Sequence, residues 1–165
     1  MHALAGGTVV GIVLFRLLWG IVGTRHARFA SFVRGPGAVL DYLGGLLRHD
    51  RAPDAGHNPA GGWAIVALLT LGLLTGASGW LTYQEIGGDL FEELHEGLAA
   101  TMLTVAALHV AGVAVSSLAH RENLVRAMLT GRKLGSPDEA ISGVRPLAAA
   151  LMLCWVAACA WWAVQ

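Results

Sequence analysis

Charge is scarce in this sequence: Asp, Glu, Lys and Arg make up 13% of its 165 residues, against 55% hydrophobic ones. Such a balance cannot cover a globule of this size with polar surface, which excludes a water-soluble domain and makes lipid the solvent. Net charge is zero, so no global field exists to recruit nucleic acid. Cys154 and Cys159 are the only cysteines, in one apolar run without CxxC or CxxCH; neither a disulfide framework nor a covalently attached haem is expected. The apolar stretches hold no acid at depth, and every Asp and Glu lies in a loop or at a helix end. A proton relay at membrane depth would call for them. Inverted halves and broken helices, the marks of a solute carrier, are also lacking, as are internal repeats and low-complexity segments.

What the sequence does contain is four apolar stretches, at about 3–22, 61–82, 94–118 and 146–164, each long enough to cross a bilayer as a helix. The expected fold is an all-α integral membrane bundle of about four spans, forming a single domain over 1–165. The start of the chain lacks a basic n-region and carries Arg16 where an apolar centre would fall, so it reads as a mature span and not a signal peptide. Arg25, Arg28, Arg34, Arg48 and Arg51 occupy the linker 23–60, and Arg121, Arg126, Arg132, Lys133 and Arg145 occupy 119–145. The short connection TYQEIGGDLFEE holds acids only. Basic loops face the cytoplasm, which puts both long linkers inside and both termini outside, periplasmic in a bacterial inner membrane. FASFVRGPGAVLDYLGGLLR and RENLVRAMLTGRK show apolar residues at helical spacing, consistent with short interfacial helices.

Histidine carries the chemistry. An ionisable side chain in hydrocarbon is costly enough to be a functional candidate by default. His109 sits in LTVAALHVAGVAV, with Glu96 and Arg121 the nearest charges in sequence. His95 precedes it by 14 residues, a step that returns within roughly 40° of the same helix face and advances about 21 Å. Two imidazoles therefore share one stripe at two depths, the spacing needed to hold two haems so that an electron crosses the insulation in short hops. His2 opens the first span at the level of His95, and Gly6 and Gly7 follow one turn on; an outer haem bridged between His2 and His95 is geometrically sensible. No other histidine lies at the depth of His109. His57, in GHNPAGG, caps the second span or approaches a haem propionate in preference to ligating iron. Arg16 either snorkels to the cytoplasmic headgroups or clamps a propionate through charge-assisted hydrogen bonds.

The strings VLFRLLWGIVGTRHARFASFVRGP, GHNPAGGW and EELHEGLAATMLTVAALHVAGVAVSSLAHRENLVRAMLTGRK resemble the prokaryotic cytochrome b561 family, including the b-type cytochrome subunits of nickel-iron hydrogenases. The resemblance runs from about His2 to Lys133. It implies a helical membrane bundle with b haem, exchanging electrons between the quinone pool and a c-type cytochrome, a hydrogenase or another redox subunit, in a homo- or hetero-oligomeric assembly. It implies His2, His95 and His109 as iron ligands, with the partner of His109 on an additional N-terminal helix that this sequence lacks. One or two haems are accordingly expected, with no bond chemistry. The alternative is a haem-free membrane anchor or assembly subunit. The final stretch, with Trp155, Trp161 and Trp162, lies beyond the resemblance and suits an interfacial anchor.

Overall fold

The computed structural model describes residues 1–48, 58–119, 123–131, 143 and 145–165. The chain is an all-α membrane bundle. Helix α1 spans His2–Val22 and is followed by one 3-10 turn at Arg25–Ala27, the single-turn α2 (Phe29–Phe32) and α3 (Pro36–Arg48). Then come α4 (Pro59–Tyr83), α5 (Asp89–Ala119), the short α6 (Leu124–Thr130) and α7 (Pro146–Trp162).

Local chemistry sets these boundaries. Asn58 caps α4, its Oδ1 accepting from Gly61 N at 2.6 Å, and Pro59 occupies the first turn, where its missing N–H costs nothing. Helix α5 begins five residues before the apolar stretch, because Asp89 and Glu92 favour the positive end of the helix dipole. The tight turn between α4 and α5 places Glu85, Gly87 and Gly88 at positive φ.

Helices α1, α4 and α5 are long and apolar enough to cross a bilayer; α7 is apolar but has 17 residues. Its length of roughly 26 Å falls short of a hydrocarbon core of about 30 Å, a mismatch that local thinning and the terminal Trp161 and Trp162 absorb. The outer surface is greasy, with Leu103, Leu108, Val110 and Leu118 each at least two-thirds exposed. In water such a surface would aggregate; in lipid it is solvated.

Neighbouring helices run antiparallel and meet through small residues. On the α1–α4 seam Val13 lies on Gly72 and Val10 on Gly76; on the α1–α7 seam Gly7 faces Ala163 and Gly11 faces Cys159. His95 lies on Gly79 where α5 meets α4. The packing order is α7, α1, α4, α5, and α1 and α5, running parallel, barely touch each other. Between them, with α4 as the back wall, is the cleft that the His2 ring enters from α1 and the His95 ring from α5. α2, α3 and α6 lie at the far end, and Tyr42 of α3 joins the bundle through a buried hydrogen bond to Ser116 and a part-buried one from Asn58.

Candidate functional site

At the end of the bundle where α1 starts and α4 finishes, the His2 and His95 rings lie with centres 5.8 Å apart and planes at 86°. They come from opposite walls of the cleft. Two imidazoles bound to opposite faces of one metal ion, at metal–nitrogen distances of about 2 Å, place their ring centres roughly 6 Å apart. His2 is exposed and His95 half-buried.

The back wall supplies three residues that periodicity did not single out for a site. His95 Nδ1 is 2.9 Å from the Thr75 carbonyl oxygen and 3.4 Å from Ser78 Oγ. Gly79 leaves room for the ring: a Cβ there would stand 2.7 Å from His95 Cε1. Gly79 was legible in the sequence as a small residue within a span, but its pairing with His95 needed the α4–α5 register.

Fourteen residues along α5 and back along α4, His109 falls about level with Ile65. It is half-buried, and among the described residues it makes no hydrogen bond. Arg16 lies on α1, three residues beyond the Val13 that faces Gly72. Its guanidinium lies 5.1 Å from the Phe29 ring centre and 5.8 Å from that of Phe32, and Phe29 itself rests on Gly20, seven residues beyond the Val13 that faces Gly72. Cation–π contact stabilises the charge, yet among the described residues the buried Arg16 Nη1 has no hydrogen-bond partner. The structure thus brings His2 to His95, while among the described residues no hydrogen bond or ring contact joins Arg16 to His109. His57, like His49 and His120, lies outside the described residues.

Among the described residues no three His, Cys, Asp or Glu side chains converge on one point; a haem iron asks for only one or two side-chain ligands from the protein. The residues fit such a group on two counts: paired imidazoles across a cleft, and, among the described residues, two buried polar atoms, Thr75 Oγ1 and Arg16 Nη1, without hydrogen-bond partners.

A lipid-solvated bundle with two imidazoles facing each other across a helical cleft is the architecture of a membrane b-type cytochrome. The family model described as prokaryotic cytochrome b561 matches residues 1–131, and the chain belongs to that family. Membership makes it a membrane electron-transfer protein of b-type haem. Comparisons with curated proteins and with solved structures return no match. Helix α7 lies wholly beyond the matched residues.

Proposed function

We propose that this chain relays electrons between a membrane quinone and a redox partner subunit, with His2 and His95 as the two axial ligands of an outer haem b. The observation that carries the reading is the opposition of the two rings at 5.8 Å across a cleft whose helices otherwise stay apart. Haem, when bound there, supplies one-electron transfer without proton or group chemistry. The protein's share is to bind, to exclude water and to set the potential through ligand basicity and burial.

His109 would serve a second, inner level of the same helix stripe, with Arg16, held over the Phe29 and Phe32 rings, as its candidate counterpart on α1. An unpartnered guanidinium nitrogen at that depth suits a propionate or another carboxylate. A second haem there would take His109 as one ligand and find its other outside the described residues or on another subunit. The charge pattern of the loops supports a bacterial inner-membrane setting with both termini periplasmic, so the outer haem would face the periplasm.

The test is the haem content of the purified chain by the pyridine haemochrome assay, beside His2→Ala, His95→Ala and His109→Ala. The expected result is loss of one haem per chain in His2→Ala and in His95→Ala alike. Haem loss in His95→Ala with full retention in His2→Ala would assign the other outer ligand elsewhere. Absence of haem from the folded native chain would leave the anchor or assembly role in place of electron transfer.

A further inference from the structure

Imidazole binds a metal through one nitrogen, and the hydrogen bond made by the other decides which one is free and how basic it is. For His95 the second partner is a carbonyl, Thr75 O, at 2.9 Å from Nδ1. A carbonyl only accepts, so Nδ1 must carry the proton and Nε2 is left with the lone pair. The same oxygen has a competitor. Ser78 Oγ donates to Thr75 O at 3.1 Å and stands 3.4 Å from Nδ1. Gly79 completes the arrangement: a Cβ there would come within 2.8 Å of Nδ1 and 2.7 Å of Cε1, so any side chain would push the ring off its acceptor.

We infer that the Thr75–Gly79 turn of α4 is a positioning element that locks His95 in the Nδ1–H tautomer, with Ser78 and Gly79 setting in opposite directions the potential of the haem that His95 binds. The inference rests on the haem reading above. A strong Nδ1–H···O bond makes the imidazole a better donor and favours ferric over ferrous iron, which lowers the potential. Gly79 permits that bond. Ser78 draws on the same carbonyl and weakens it.

Two variants of the full chain therefore shift the potential with opposite sign. In Gly79→Ala the ring moves away from Thr75 O; haem affinity falls about 10–100-fold, the range seen when a metal-bound histidine loses its outer hydrogen bond, and the haem retained titrates at a higher potential. In Ser78→Ala the carbonyl is left to His95; affinity holds or rises and the potential moves down. Gly44→Ala, on α3 with open space around it, controls for adding a methyl group.

The measurements are haem titration, redox potentiometry and the low-spin absorption bands, with size-exclusion chromatography to show that each variant is folded. Opposite shifts in the two variants support the inference. Equal potentials in Ser78→Ala and the native protein, or shifts of the same sign in both variants, overturn it while the haem reading stands. Should Gly79→Ala fail to fold, the downward shift in Ser78→Ala decides alone. A native chain that binds no haem, or one whose haem survives His95→Ala, defeats the haem reading itself and is told apart by that result.

Discussion

Asn58 Nδ2 donates to the Tyr42 hydroxyl at 2.9 Å, while Asn58 Oδ1 caps the first turn of α4. One side chain thereby fixes both the start of a membrane span and the seat of the amphipathic helix α3. The Tyr42 hydroxyl also lies 3.2 Å from Ser116 Oγ on α5, and both residues are buried, so three helices are pinned at one oxygen.

Tyr42→Phe removes that oxygen and leaves a half-buried amide donor and a buried hydroxyl without their partner. The expected cost is about 1–3 kcal/mol, the desolvation penalty of the groups left unpaired. It is read as a lower thermal unfolding midpoint in detergent, followed by helical circular dichroism. Ser116→Ala, which spares the Asn58 bond and its cap, should cost less. Equal midpoints for Tyr42→Phe and the native chain would show the network to be incidental.

Gly62 lets α4 approach the loop-side turn α2, since a Cβ there would stand 2.8 Å from the Phe32 carbonyl oxygen and 3.1 Å from the Phe32 ring. The obstacle is partly backbone and cannot rotate away. Gly62→Ala should therefore destabilise by about 1–3 kcal/mol through overpacking. Gly97→Ala meets nothing within 4 Å and should be neutral, or stabilising by up to about 1 kcal/mol through helix propensity. Chemical unfolding of the two variants side by side checks the contrast.

These two positions also mark how far the sequence could be read. The spans were legible because lipid imposes a crude, long-range rule on composition and length, which α1, α4 and α5 obey over 21, 25 and 31 residues. His95 and His109 stood out for the same reason, as polar side chains in apolar surroundings. The contacts of His95 with Thr75 and Ser78 were not legible. They depend on the register between α4 and α5, which is set by where small residues let the helices close in, and nothing periodic in α4 marks one glycine over another. The role of Tyr42 was hidden likewise, because a tyrosine in an interfacial helix reads as a membrane anchor until its partners 16 and 74 residues away are known.

Helix α7 makes its own case for belonging to the bundle. Trp155 Nε1 donates to the Gly11 carbonyl oxygen at 3.1 Å, and Trp162 stacks on Trp80 of α4 with ring centres 6.2 Å apart and planes at 18°. A double-mutant cycle over Trp80→Ala and Trp162→Ala should return a coupling of about 0.5–1.5 kcal/mol in unfolding free energy. Additive effects, with no coupling, would mean that α7 is held by lipid and not by its neighbours.

Arg16 offers the sharpest separation of structure from function. Among the described residues its buried Nη1 has no hydrogen-bond partner, and its stabilisation comes from two phenyl rings. A cation so placed contributes little to the stability of the empty bundle, because the cost of desolvation offsets the contact with the rings. Arg16→Leu in the haem-free chain is therefore expected to unfold within about 1 kcal/mol of the native protein. Haem binding should respond differently. If Nη1 meets a propionate, the lost charge-assisted hydrogen bond is worth about 1.5–3 kcal/mol, which is roughly a 10–100-fold rise in the dissociation constant. Arg16→Lys keeps a point charge without the planar fork and should fall between the two. Titrating haem into the three apo-proteins reads this directly. A destabilised apo-protein that binds haem with native affinity would make Arg16 a headgroup-seeking residue with no part in holding the cofactor.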